Sequence, residues 1–368
     1  MPDVVCLSHL RWDFVYQRPQ HLLSRFARYT RVFFVEEPSF TDCQEPYLQI
    51  TEREGNVQLV VPHLPHGLSS EAAAIAQRGL LDGLFAEHKI AHYLFWYYTP
   101  MALQFTAHFT PALTVYDCMD ELAAFKFAPA QLKELELALF QKADLVFTGG
   151  QSLYEAKKKQ HPRAYAFPSS IDKAHFAQAR TPLPEPADQA AIPGPRIGFF
   201  GVIDERMDLG LLDTLATARP EWQLIMIGPV VKIDPATLPR HANIHYLGGK
   251  SYKELPAYLS GWNVALLPFA INESTEFISP TKTPEYLAAG KPVVSTAIRD
   301  VVRPYGEADL VHIADTPESF VAAVVEALLQ QQDEEWLANV DAYMADLSWD
   351  NTWRSMATLM LSALELKR

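Results

Sequence analysis

A lysine, a glutamate and two proline-led turns cluster in ESTEFISPTKTPEYLAAGKPVVST, residues 273 to 296. A polar loop there leads into a short helix that Gly290 ends before a strand. Free N–H groups and the positive dipole end at the start of such a helix attract an anion, and Lys282 adds a full charge, so a diphosphate fits. Ser279 before Pro280 and Thr283 before Pro284 are both cap-plus-first-turn pairs, and either start leaves Lys282 near the helix N-terminus. Glu285 stands about one turn further on. A carboxylate at that place can accept hydrogen bonds from both hydroxyls of a ribose, or act only as a dipole or capping group.

A second group of acids lies in TVYDCMDELAAF, residues 114 to 125, directly after a predicted strand. Asp117 or Asp120 could take a proton from an acceptor hydroxyl, or cap the helix that follows. They are three apart, not the two of a metal-chelating DxD pair. No histidine cluster supplements them, and Cys6, Cys43 and Cys118 are scattered. No metal and no cofactor are expected.

Arg18, His21, Arg25 and Arg28 share one face of a predicted helix, opposite Leu22, Leu23 and Phe26. That basic face either recognises an anionic acceptor, rests on anionic lipid as a peripheral membrane contact, or is simply solvated. Trp96, Tyr97 and Tyr98 are either sugar platforms or core. The run Lys157 to Lys159 reads as a solvated helix face or its end.

The elements that must position these groups alternate. Apolar runs at Val4–Leu7, Val32–Val35, Val57–Val61, Tyr93–Trp96, Leu113–Tyr116 and Leu145–Phe147 are interleaved with helical patterns at Gln20–Tyr29, Glu71–His88 and Ala130–Lys142. Strands alternating with helices imply a parallel sheet covered on both faces, the doubly wound α/β class. The alternation stops at TPLPEPADQAAIPGP and restarts with Arg196–Phe200, Gln223–Ile227, Asn243–Leu247, Val264–Pro268 and Pro292–Ser295.

The expected organisation is a first Rossmann-like domain over 1–180, a Pro-rich linker over 181–195, a second Rossmann-like domain over 196–346, and a terminal helix over 347–368 that returns to the first domain. Ligands of this fold class bind at the carboxyl ends of the strands, so the expected site is a crevice between the domains. The loop after the first strand, Ser8 to Pro19, contains no glycine and so lacks the G-x-G-x-x-G of a dehydrogenase.

The 368 residues carry a formal net charge of −13, which disfavours nucleic acid as a partner. No apolar run approaches the ~18 residues that span a bilayer, and the N-terminus lacks an export pattern. A cytoplasmic protein is expected, either free or peripheral to the inner face of the membrane.

SPTKTPEYLAAGKPVVST resembles the donor-site segment of bacterial GT-B fold glycosyltransferases of group 1, the family-4-like enzymes. FFGVIDERMDLGLL resembles the opening of their second domain, FPSSIDKAHF the stretch closing their first, and RWDFVYQRPQHLLSRFA their first strand-to-helix connection, so nearly the whole chain is covered. The resemblance implies transfer of a sugar from a nucleotide-sugar, with UDP the expected nucleotide, to a glycan or lipid-linked acceptor in cell-surface polysaccharide synthesis. Lys282 and Arg206 would face the diphosphate and Glu285 the ribose. Gly228 and Pro229 would lie near the base, with Gly201, Ser279 and Thr281 completing the donor site.

More distantly, TVYDCMDELAAF resembles the base-bearing segment of inverting glucuronosyltransferases of exopolysaccharide synthesis, which implies Asp120 as the base. Arg18, His21 and Tyr98 are the acceptor-side candidates. The chain departs from the commonest retaining pattern, for Phe277 stands eight positions before Glu285. It also has Val202 where the family pattern has an arginine, and Pro284 is unusual within the motif. A nucleotide-sugar 2-epimerase and a noncatalytic nucleotide- or glycan-binding protein are the alternatives.

Overall fold

The structure is a computed structural model and describes residues 1–367. It divides into two compact units. The first comprises 1–123, 127–168 and the chain from Trp349 onward; the second comprises 124–126 and 169–348.

The first unit is built on nine strands: β1 Asp3–Ser8, β2 Val32–Glu36, β3 Ser39–Thr41, β4 Tyr47–Arg53, β5 Val57–Pro65, β6 Tyr93–Tyr97, β7 Leu113–Cys118, β8 Leu145–Thr148 and β9 Ala164–Ala166. Their order is β3-β5-β2-β1-β6-β7-β8-β9, with β4 paired to β5. Central strands covered on both faces read as continuous apolar runs, which is why VFFVE and YLFWY are buried at every position. The chain steps from β1 to β2 on one side and later crosses to β6 on the other, so the winding reverses between β1 and β6.

Strand β4 runs antiparallel to β5 and was not expected. Its burial alternates with exposed positions, the mark of a half-solvated strand that an apolar-run reading passes over. Gly55 and Asn56 turn the chain between them, both at positive φ.

The second unit has six strands, all parallel: β10 Arg196–Phe200, β11 Gln223–Ile227, β12 Ile244–Gly248, β13 Val264–Leu267, β14 Val293–Thr296 and β15 His312–Ala314. Their order is β12-β11-β10-β13-β14-β15, so the winding reverses between β10 and β13.

Two boundaries differ from expectation. The first unit's own fold ends at Pro168, and the Pro-rich stretch 181–195 is packed onto the second unit instead of hanging free. Arg196 pairs with Glu185 at 2.5 Å, Lys250 with Asp188 at 2.6 Å, and the buried Gln189 accepts the Trp262 indole N–H at 2.9 Å. Proline limits this stretch to one short helix, Ala187–Ala190 after Pro186, but does not prevent its packing. The last helix, Trp349–Glu365, belongs to the first unit, where Trp349, Met356 and Met360 join its core. Among the described residues no helix is long and apolar enough to cross a membrane.

Candidate active site

In the second unit, Phe200 and Ile227 end β10 and β11, and each is followed by a glycine at strongly positive φ, Gly201 at 147° and Gly228 at 145°. The two backbones nearly touch. A Cβ at Gly228 would overlap the carbonyl oxygen of Gly201, and one at Gly201 would overlap Cε of Lys282. Only glycine fits either place. The Lys282 side chain therefore lies across bare backbone at the carboxyl end of β10, beside the winding reversal where ligands of this fold class bind.

The loop after β10 is stitched to its neighbours. Ile203 N–H donates to Pro229 O at 3.0 Å, and Ala270 N–H to Arg206 O at 2.8 Å. Arg206 does not present an open guanidinium: its Nε and Nη2 hold the nearly buried Asp204 carboxylate at 2.9 and 2.7 Å. An incoming phosphate must share this cation with Asp204 or displace it. Both carboxylate oxygens of the neighbouring Glu205 are buried with no hydrogen-bond partner, an acceptor pair that the sequence reading missed.

The helix spans Lys282–Ala288, and the N-cap position is Thr281, without a side-chain cap bond. Neither Ser279 nor Thr283 caps it; Thr283 is buried and its hydroxyl has no partner. Pro284 is accommodated because it occupies the first turn, whose N–H groups have no intrahelical partner. Tyr286 fixes the helix to the sheet: its hydroxyl accepts the Phe200 N–H at 2.9 Å. Glu285 is buried, and burial pushes its carboxyl up to about 8 against the opposing pull of the Lys282 charge. Lys282, Glu285, Gly201 and Gly228 are thus brought to one end of the sheet, and Pro229 follows Gly228 in the adjoining loop. Ser279 and Thr281 lie half-buried on the approach to the helix.

In the first unit, β7 delivers both aspartates and the structure separates them. Asp117 is fully buried and held by Arg18, with Nη2 at 2.8 Å and Nε at 3.0 Å. Burial works against the Arg18 charge; Asp117 more than restores it, and Asp120 adds a smaller share. Asp120 itself is half-buried in the loop that follows.

That loop is clamped. Gly149 N–H donates to Cys118 O at 2.9 Å, and a Cβ on Gly149 would overlap the Met119 carbonyl oxygen. Lys157, expected in a solvated face, is buried and reaches Glu121 and Glu136 at 2.8 Å each, while the Tyr116 hydroxyl donates to Glu136 at 2.8 Å. Its place one helical turn after the buried Leu153 is the signal that marked it as inward-facing.

The three acceptor-side candidates are all buried within the first unit. Arg18 is spent on Asp117 and on the Phe167 carbonyl, at 2.7 Å. His21 is buried and stacked on Trp349, with ring centroids 4.6 Å apart. Tyr98 is buried beside Asp117. The helix Arg18–Phe26 packs against the terminal helix, so the face that looked basic is largely turned inward. Arg25 pairs with Asp350 at 2.9 Å, and Arg28 remains exposed. Among the described residues no group of three or more His, Cys, Asp or Glu is placed to hold a metal ion.

Solved structures show the fold. Sucrose-phosphate synthase from Thermosynechococcus elongatus is similar with a TM-score of 0.75 and 14% identity over 100% of both chains. Anabaena HepE, solved with UDP and glucose, gives 0.69 and 14% over 98% of this chain and 99% of that one. The fold is therefore GT-B. Residues 194–330 match the family described as glycosyl transferases group 1. A Bacillus subtilis (strain 168) protein, TuaH, assigned to teichuronic acid biosynthesis as a glycosyltransferase, is 25% identical over 264 residues, 66% of this chain. The match spans 65% of that protein, slightly under two thirds of its length. The match to the group 1 glycosyl transferases thus lies within the second unit of a chain of GT-B fold.

Proposed function

We propose that the chain transfers a sugar from a nucleotide-sugar, with UDP as the nucleotide, to a glycan or lipid-linked acceptor in cell-surface polysaccharide synthesis, without a metal ion and on the cytoplasmic side. The observation that carries the reading is the Lys282 side chain laid across the Gly201 backbone with Glu285 one turn away, inside the segment that matches the family. Lys282 and Arg206 receive the diphosphate, Glu285 the ribose, and the Gly228–Pro229 turn the base. The UDP bound to HepE supports the choice of nucleotide.

In the reaction the acceptor oxygen bonds to the anomeric carbon as the bond from that carbon to the diphosphate oxygen breaks. The leaving diphosphate takes the electron pair and Asp120 takes the hydroxyl proton. Lys282 and Arg206 offset the charge that develops on the leaving group, the service a metal performs elsewhere.

A thermal-shift panel of UDP, GDP and ADP, with and without EDTA, tests this. Selective stabilisation by UDP that survives EDTA is expected. No shift at millimolar nucleotide would sink the reading. Donor consumption without release of free nucleotide would redirect it to an epimerase.

Lys282→Ala is expected to weaken UDP about tenfold, the loss of one charge-assisted hydrogen bond, with uridine affinity unchanged in a titration. Lys157→Met is expected to lower turnover about tenfold at constant donor KM, because Glu121 and Glu136 lose the cation between them and release the Asp120 loop. Lys157→Arg should recover part of the loss. Equal turnover in all three proteins would remove the clamp from the mechanism.

A further inference from the structure

The loop after β10 is pinned on both sides: Ile203 bridges to Val230 after β11, and Met207 bridges to Phe269 after β13. Between the bridges the chain makes one tight turn. Met207 N–H closes it on the Asp204 carbonyl at 3.0 Å, and Arg206 N–H on Asp204 Oδ1 at 3.1 Å. Glu205 stands at the tip of that turn. Loop tips ordinarily reach solvent, where water satisfies a carboxylate. Glu205 is half-buried, and both of its oxygens are shut off from solvent without meeting a donor. A buried acceptor left unpaired costs the folded protein free energy, and a carboxylate costs the most.

The cations of the second unit nearest this turn are engaged elsewhere. Arg206 holds Asp204 at 2.7 Å and lies 5.6 Å from the centroid of the Phe125 ring, Lys232 lies 5.0 Å from the same centroid, and Lys282 crosses the Gly201 backbone. A donor for Glu205 must therefore come from a ligand.

A nucleotide-sugar has four parts to offer. The diphosphate has no donor and repels a carboxylate. The ribose hydroxyls are assigned to Glu285 above. A uracil ring brings a single N–H, whereas Glu205 has two oxygens to fill. The transferred sugar carries adjacent hydroxyls, which one carboxylate accepts together. Position agrees with chemistry. With the base at the end of β11 and the diphosphate at the end of β10, a molecule laid along the order β11-β10-β13 carries its sugar toward β13. The turn bearing Glu205 is tied to Phe269, just past that strand.

We infer that Glu205 reads the transferred sugar, its carboxylate accepting from two adjacent ring hydroxyls. The assignment rests on the transferase reading. A site with a buried acceptor pair rejects a sugar that lacks the matching hydroxyl far more strongly than an apolar pocket would, because the mismatch leaves the carboxylate unpaired. Glu205 thus sets specificity for the hydroxyl pattern of the donor.

The test uses the full chain, titrated by calorimetry with UDP, UDP-glucose, UDP-galactose and UDP-N-acetylglucosamine. Wild type is compared with Glu205→Gln and with Glu205→Met, which keeps the side-chain length and removes both oxygens. In Glu205→Met the tightest UDP-sugar is expected to weaken at least tenfold while UDP stays within threefold. Glu205→Gln keeps one acceptor and should fall between. For the 3-deoxy or the 4-deoxy counterpart of that donor, the penalty of Glu205→Met should shrink at least threefold, because a hydroxyl the carboxylate reads is gone. Without ligand, Glu205→Met should melt above the wild type, since an unpaired buried carboxylate leaves with the substitution. Equal weakening of UDP and UDP-sugar, or a melting temperature below wild type, would make Glu205 a structural group and overturn the inference. So would a UDP-sugar affinity indifferent to both variants, or a Glu205→Met penalty that both deoxy donors leave unchanged; the transferase reading would survive either. No response of the wild type to any nucleotide would sink that reading and this assignment together.

Discussion

Asp120→Asn is expected to lower turnover by about 10²–10⁴-fold, the range a positioned general base contributes, with UDP affinity within about twofold of the wild type. The substitution keeps the shape and removes the ability to take a proton. Asp117 cannot substitute, because it is fully buried and occupied by Arg18 on three contacts of 2.8 to 3.1 Å. Asp117→Asn should instead act through stability, since it leaves the Arg18 guanidinium buried without its counter-charge. The two asparagine variants thus separate by readout: turnover falls in one and melting temperature in the other. A loss of less than about tenfold would remove Asp120 as the base and favour a mechanism in which the leaving diphosphate assists the hydroxyl on the same face. The anomeric configuration of the product, read by NMR, would then show retention.

How far the sequence carried this picture varies with the physics. The central strands were legible because burial on both faces leaves unbroken apolar runs; β10 and β11 fall where Arg196–Phe200 and Gln223–Ile227 were read. Strand β4 was not, because half of its side chains are solvated. The local geometry of the donor segment was legible: Lys282 opens the short helix, Glu285 falls in its first turn, and Gly290 follows its end at positive φ. Long-range partners were invisible. Nothing local to Arg18 tells that Asp117, 99 positions on, will consume its charge, or that the terminal helix will cover His21 with Trp349. The resemblance sets Arg206 against the diphosphate but says nothing of Asp204 two residues earlier, which holds its guanidinium. Lys157 was misjudged for the same reason as Arg18: charge was taken as a sign of solvent, whereas a buried cation between two carboxylates satisfies the same sequence pattern.

Glu285→Ala is expected to weaken UDP by about 10²–10³-fold, the loss of two hydrogen bonds to a charged acceptor. Burial holds this carboxyl near 8 in the free protein, so at neutral pH it is mostly protonated, whereas in the unfolded chain it titrates near 4.5. A folded value above the unfolded one means that the native state binds the extra proton between about 4.5 and 8. Stability therefore falls as pH rises through that window and levels off above it. Glu285→Gln, which cannot titrate, should lose this slope and melt several degrees higher than the wild type at pH 8. Ribose hydroxyls that donate to the carboxylate favour its charged form, so nucleotide binding should draw the value down and expel a proton. Calorimetry at pH 7 in buffers of different ionisation enthalpy should count more protons released by the wild type than by Glu285→Gln, and the difference in their UDP affinities should widen as pH rises from 7 to 8.5. Dideoxyuridine diphosphate closes the cycle, because without the hydroxyls the wild type and Glu285→Ala should bind it alike. If Ala costs as much with the dideoxy nucleotide as with UDP, the buried carboxyl is a structural group of the helix and the ribose is held elsewhere.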